Sequence, residues 1–445
     1  MAASVSVNEI RRISMLRPQL AEFMKRMDQN SIAIIPSARE AVRSNDTNYR
    51  YRQNSDFFYL TGFEEPEAVA VINPSSDAKF TLFVRPRDPE REIWDGRRAG
   101  IDGARTEYGA DEAFPVSEFN AKLGEILNGP EKLYYRLGDG NPELDETIIR
   151  QLASVRTLNR KPISVPQTII DSASIIHEMR VIKSEEEIAI MQRAADIAAE
   201  AHVEAMKAAR AGMMEYEIEA LVEQVFRRAG ALGPSYTSIV GAGANATVLH
   251  YINNDGKLND GDLLLLDAGA EYKGYASDIT RTFPVNGKFT EAQREIYDLV
   301  LETQMACVEM VRPGVRHLDI KNQSIEMLTE GMVRLGLLQG EPEELIKEEK
   351  YMQFYMHGLG HYLGIDVHDV GRYFIDGESR PLEPGMVMTV EPGLYISPNT
   401  KGIPEKYLGI GVRIEDDVLA TETGPRVLTD KVPKDAGEIE ALMAR

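Results

Sequence analysis

An α/β domain with a mixed sheet, followed by a second and larger domain, is the architecture this sequence predicts. Three observations carry it. At 445 residues the chain exceeds what one hydrophobic core ordinarily organises. Its first 170 residues alternate short strand-like runs with helical segments, the pattern of an α/β layer. The stretch KPISVP at 161–166 then brings two prolines and few helix formers, which marks a linker. Domains are therefore expected at 1–170 and 171–445.

Taken in order, residues 9–27 (EIRRISMLRPQLAEFMKRM) form an arginine-rich amphipathic stretch. A mitochondrial targeting peptide has that character, but the acidic residues within it favour a first domain helix. Strands are expected over 31–35, 68–72, 80–84 and 133–136. Ser184 and Glu187 have capping-box spacing, and the helix they start keeps Ile188, Met191 and Ala195 on one face. Thr290 and Gln293 repeat the device for a helix that Pro313-Gly314 ends. Cys307, the single cysteine, falls on a helical face, can form no internal disulfide, and fits a reducing, cytoplasmic setting.

Composition narrows the partners. Fifty basic against 71 acidic residues leave a net charge of −21, which argues against nucleic acid or an anionic membrane surface. No run approaches the length of apolar residues needed to span a bilayer. The opening MAASVSVNEI has no apolar core of a secretory signal.

The chemistry is concentrated in Asp267, Asp278, His361, Glu391 and Glu415. Asp267 closes the apolar run LLLLD, Asp278 opens the alternating SDITRTF, Glu391 precedes Pro392-Gly393, and Glu415 stands two residues after Arg413. Carboxylates beside strands that look buried are costly unless paired or metal-bound. Two divalent cations would balance four such charges. A hairpin centred between Tyr272 and Lys273 would set Asp267 directly opposite Asp278, with Cβ atoms about 4.5–5.5 Å apart. Like charges in that register call for a cation between them. HGLGH at 357–361 has the two-histidine spacing of zinc proteases, but it lacks their glutamate, and its glycines disfavour a helix. It is expected to be an extended or turning segment, with at most one histidine on metal. Alternation in VRIED buries Val412 and Ile414 and turns Arg413 and Glu415 to the other face, a cation beside a ligand. One histidine among four carboxylates is a hard, oxygen-rich set that suits Mn²⁺ or Co²⁺; Zn²⁺ and Fe²⁺ also fit.

The order Asp267, Asp278, HGLGH, VEPGLY (390–395) and GVRIED (411–416) resembles the pita-bread metallopeptidases, which include methionine aminopeptidase, prolidase and aminopeptidase P. The resemblance implies an α+β pita-bread catalytic domain with pseudo-symmetric halves. It also implies two metal ions bridged by Asp278 and Glu415, with Asp267 on one and His361 and Glu391 on the other. A bridging water or hydroxide would attack the scissile carbonyl, and Glu391 would relay the proton. His250, His357 and His368 stand at motif positions whose counterparts line the substrate cleft, and Arg413 matches a family arginine. Tyr395 reads as a packing residue with its hydroxyl satisfied, or less readily as a donor to the site. His177, His202 and His317 receive no role.

The first domain distinguishes members. YRQNSDFFYLTGFEEPEAVAVI (51–72) and EIWDGRRAG (92–100) resemble the N-terminal domain of aminopeptidase P more than that of prolidase. The implied substrate is a peptide with proline second, cleaved before that proline. A dipeptidase is the alternative, and non-catalytic peptide- or histone-binding scaffolds of this fold typically lose ligands that are all present here. Trp94, the only tryptophan, sits among charges in REIWDGRR, a poor core anchor and a candidate contact in a homo-oligomer.

Overall fold

The computed structural model describes residues 17–157 and 164–444, so residues 9–16 of the amphipathic stretch and 161–163 of the expected linker lie outside the described residues. The chain divides into two compact units, 1–179 and 180–445.

The first unit is built on a six-stranded mixed sheet. Ser31–Pro36 lies in it between Val69–Ile72, to which it is antiparallel, and Lys132–Tyr134, to which it is parallel. Strands therefore form at each of the four expected places, Phe80–Val84 included. Pro18–Arg26 is a helix with proline in its first turn, where the missing N–H costs nothing. The QNSDF motif has a structural reason. The Asn54 side chain caps the helix Ser55–Thr61, while the buried Gln53 amide accepts from the N–H groups of Ala38 and Asn54 and donates to the carbonyls of Phe63 and Glu65. One side chain thus satisfies four backbone groups around a loop.

The second unit repeats one order of elements. Helices Glu185–Ala208 and Glu215–Arg228 precede an antiparallel sheet of Ile239–Ala242, Leu263–Asp267 and Thr280–Pro284. Helices Glu291–Glu309 and His317–Arg334 precede a second one of Val387–Val390, Asp416–Thr421 and Gly424–Val427. Both predicted capping boxes form, at Ser184/Glu187 and Thr290/Gln293. Glu187 does more than cap: its other oxygen accepts from the buried Tyr275 hydroxyl at 2.8 Å, tying the helix start to the hairpin between the two aspartates. Cys307 is fully buried, and burial pushes its thiol up to about 12, which leaves it inert. Among the described residues no helix is long and apolar enough to cross a membrane.

Candidate metal centre

Leu263–Asp267 is buried along its whole length, so its two faces both pack and its last residue is delivered into the interior. The return strand is not in the register expected from the sequence. Asp267 pairs with Thr280, Glu271 with Ala276 and Tyr272 with Tyr275. The loop is Lys273-Gly274, with φ of 49° and 82°, a two-residue turn needing positive φ at both positions. The hairpin therefore pivots one residue later than the sequence reading placed it, and Asp278 comes to lie two residues away from direct opposition to Asp267. A shift of two keeps both carboxylates on one face. Gly269 is required beside them, because a Cβ there would stand 1.7 Å from the Ser277 carbonyl oxygen.

The other three residues arrive from the second half of the unit. HGLGH is not helical. The His361 N–H donates to the Thr389 hydroxyl, and the His361 carbonyl accepts from the Thr389 N–H, so the segment rides along the strand Val387–Val390 that leads to Glu391. Glu415 sits between Gly411–Arg413 and Asp416–Thr421, its N–H donating to the Thr280 carbonyl at 3.1 Å. Candidate ligand atoms of Asp278, His361 and Glu415 lie within 4.8 Å of one another. His361 Nε2 is 3.5 Å from Asp278 and 3.6 Å from Glu391. Its Nδ1 faces the Tyr362 carbonyl at 3.0 Å, an acceptor only, so Nδ1 carries a proton and Nε2 is the nitrogen turned toward the carboxylates. With Nδ1 so engaged, Nε2 is the nitrogen offered to a metal, which would displace its proton.

Around the cluster stands a shell that sequence reasoning caught only in part. Arg413, buried, donates to Asp267 at 2.5 Å, to the Thr280 hydroxyl at 3.1 Å and to the Tyr395 oxygen at 3.0 Å. Thr280 accepts from that guanidinium and so directs its own proton to Glu415, 2.6 Å away. Its position two residues beyond Asp278 in an alternating strand was the available signal. The Tyr236 hydroxyl lies 2.5 Å from both Asp267 and Asp278, and no spacing rule points to it. Behind the candidate ligands, Asp417 accepts the Asp278 N–H. The fully buried Arg281 holds the Glu415 carbonyl and the Asp416 carboxylate.

Electrostatics show what the cluster lacks. Burial, with the neighbouring acidic charges added, holds Glu415 well above the usual carboxylate range and also raises Asp267, which Arg413 only partly relieves. Burial likewise pushes Glu391 up to about 7. For His361, burial opposes the charge, but the hydrogen bond and charge of Asp278 and the charge of Glu391 outweigh it and push the ring up to about 9. The protein surrounds this point with more negative charge than it can keep ionised unaided, and a divalent cation is the group such a donor set fits.

The remaining histidines separate by environment. His357 is engaged at both nitrogens, Nδ1 to the Gly358 carbonyl at 2.7 Å and Nε2 to the Tyr395 hydroxyl at 2.8 Å, and burial pushes it down to about 4. Tyr395 is thus both a buried packing residue and a link from Arg413 to His357. His368 is exposed and stacks edge-on against His361 at 4.3 Å. His250 is exposed, on the segment between Ile239–Ala242 and Leu263–Asp267. The three histidines without an expected role bond structurally, His177 to Asp56, His202 to the Ala268 carbonyl and His317 to the Gly360 carbonyl.

Residues 189–422 match the model of metallopeptidase family M24, and residues 17–134 match that of the aminopeptidase P N-terminal domain. The chain is 49% identical over 439 residues to an Xaa-Pro aminopeptidase of Escherichia coli, covering 98% of this chain and 99% of that one. It is 36% identical over 412 residues to the human Xaa-Pro aminopeptidase 3, covering 90% of this chain and 78% of the relative. Among solved structures, an aminopeptidase PepP of Pseudomonas aeruginosa superposes with a TM-score of 0.94 at 47% identity, covering 99% of both chains. A zinc-substituted Escherichia coli aminopeptidase P in complex with product superposes with a TM-score of 0.92 at 48% identity, again over 99% of both.

Proposed function

The chain belongs to metallopeptidase family M24, and we propose that it is a dinuclear-metal aminopeptidase releasing the first residue from peptides whose second residue is proline. It has an aminopeptidase P N-terminal domain and a pita-bread catalytic domain. The observation that carries the reading is the cluster of Asp278, His361 and Glu415, whose candidate ligand atoms lie within 4.8 Å of one another, with Asp267 joined to Asp278 through Tyr236 and Glu391 3.6 Å from His361.

In this reading Asp267, Asp278, His361, Glu391 and Glu415 would together hold two divalent ions. The donor set suits Mn²⁺ best, and Co²⁺ and Zn²⁺ also fit it. Bound there, such ions lower the pKa of a water and polarise the scissile carbonyl. The protein's own groups do the rest. Thr389 lies 3.3 Å from one Glu391 oxygen and steadies that carboxylate, which takes a proton from the attacking water and passes it toward the leaving nitrogen. Arg413 anchors Asp267 and, through Thr280, Glu415. His250 and His368, exposed and without a hydrogen bond of their own among the described residues, meet the substrate. His357 does so by giving up its bond to Tyr395 or to Gly358.

Peptide substrates continue beyond the proline, and we take the active form to be a homo-oligomer in the cytoplasm. Trp94 and Ile93, 84% and 81% exposed on a helix with no buried residue, supply a face for subunit contact. The test is elemental analysis of gently purified enzyme, followed by hydrolysis of an Xaa-Pro dipeptide against Xaa-Pro-Yaa peptides. Two divalent ions per chain, faster cleavage of the longer peptides and loss of activity on N-acetylation are expected. Full activity in excess chelator would overturn the metal reading, and activity confined to the dipeptide would make the enzyme a prolidase.

A further inference from the structure

Glu215 opens the helix Glu215–Arg228, a place where an acidic residue ordinarily faces water and the helix dipole. Here it is fully buried. Its carboxylate leaves the helix and takes hold of the segment that carries His250. Oε1 accepts from the Ala242 N–H at 2.7 Å and the Asn245 side-chain amide at 2.9 Å; Oε2 accepts from the Gly256 N–H at 2.6 Å and lies 2.8 Å from the Tyr251 hydroxyl. Ala242 and Gly256 are the two ends of the segment, and Asn245 and Tyr251 lie within it. The Glu215 N–H also donates to the Gly256 carbonyl at 2.9 Å. A side chain at 256 would collide with this arrangement, since its Cβ would lie 2.7 Å from Glu215 Oε2.

Between those anchors the chain alternates. Leu249 and Tyr251 pack inward against a small core containing Ala246 and Tyr395, while Val248, His250 and Ile252 turn outward. The His250 ring has no hydrogen bond among the described residues, so its place is set by its backbone alone. Asn254, near the far end, also accepts from the Val240 N–H and donates to the Ser238 carbonyl, so it too joins the two ends, but of the two side chains only Glu215 also holds Asn245 and Tyr251 within the segment. We infer that Glu215, which touches no candidate ligand or cleft histidine, is a positioning residue that sets His250 against the substrate by closing the segment from both ends. The inference rests on the reading of His250 as a substrate contact.

Glutamine is the informative replacement. Oriented either way, its amide would turn an N–H₂ toward a backbone N–H, at Ala242 or at Gly256, where only an acceptor is tolerated. Misplacing a substrate-positioning group by about 1 Å can cost on the order of 100-fold in rate. For Glu215→Gln a fall of about tenfold or more in kcat/KM on an Xaa-Pro-Yaa peptide is expected, with bound metal unchanged. The decisive measurement is the double-mutant cycle with His250→Ala. If Glu215 acts through His250, adding Glu215→Gln to His250→Ala costs less than about twofold more. Multiplied losses, or a Glu215→Gln enzyme within about twofold of the parent, would overturn the inference. Tyr251→Phe, which removes one arm of the grip and keeps the packing, gives the same cycle should the glutamine variant not fold. A His250→Ala enzyme with unaltered kinetics would instead remove the substrate-contact reading and this inference with it.

Discussion

Thr280→Val is the sharpest perturbation of the centre that leaves every candidate ligand in place. Valine keeps the shape and burial of threonine and deletes one oxygen. Two bonds go with it: the hydroxyl to Glu415 at 2.6 Å, and the Arg413 Nε–H to that hydroxyl at 3.1 Å. Arg413 retains Asp267 and Tyr395, so the second loss is shared and the first dominates. A buried hydrogen bond to a charged group is worth about 1.5–3 kcal/mol, about a 10–100-fold change in an equilibrium constant. Removing such partners of metal ligands typically weakens metal binding by about 10–100-fold, the same range reached independently. The assay is metal retention against a competing chelator, read by elemental analysis beside kcat/KM at saturating metal. Metal affinity within about twofold of the parent would refute the argument that Thr280 holds Glu415 in its ligating position.

Other expectations follow from the same contacts. Asp278→Asn and Glu415→Gln should abolish hydrolysis, and His361→Ala should lose metal, while His250→Ala and His368→Ala keep most metal and show altered kcat or KM; equal metal loss in all would show that ligands and substrate contacts have been divided wrongly. His202 is buried with one nitrogen unpartnered among the described residues, and burial pushes it down to about 3. A histidine that the fold keeps neutral stabilises above its unfolded pKa of about 6.5 and loses that stability as pH falls from there toward 3, by about 1.4 kcal/mol per pH unit. Melting temperature between pH 7 and 5 should therefore fall less steeply in His202→Gln, and parallel slopes would contradict this. Trp94→Glu should shift the proposed homo-oligomer toward smaller species by light scattering, whereas a parent enzyme that is already monomeric at micromolar concentration would remove the interface.

The sequence by itself singled out the carboxylates that are candidate ligands and determined the helix starts. Both rest on local physics: a carboxylate abutting an apolar run has few affordable environments, and a capping box closes within four residues. It also determined that Arg413 and Glu415 share a face, because strand alternation is a property of neighbours. Register was beyond it. Which residue opposes Asp267 depends on the Lys273-Gly274 turn, where a change of one residue in the pivot moves the pairing by two, and the sequence reading chose the wrong pivot. Only the tertiary structure brought Tyr236 to the two aspartates, Arg281 to the back of Glu415, and Glu215 to both ends of the His250 segment. Each of these contacts joins positions with no shared periodicity, so nothing in the local pattern encodes them. They exist because closing the chain around a buried charge leaves polar groups that must find partners wherever the fold supplies them.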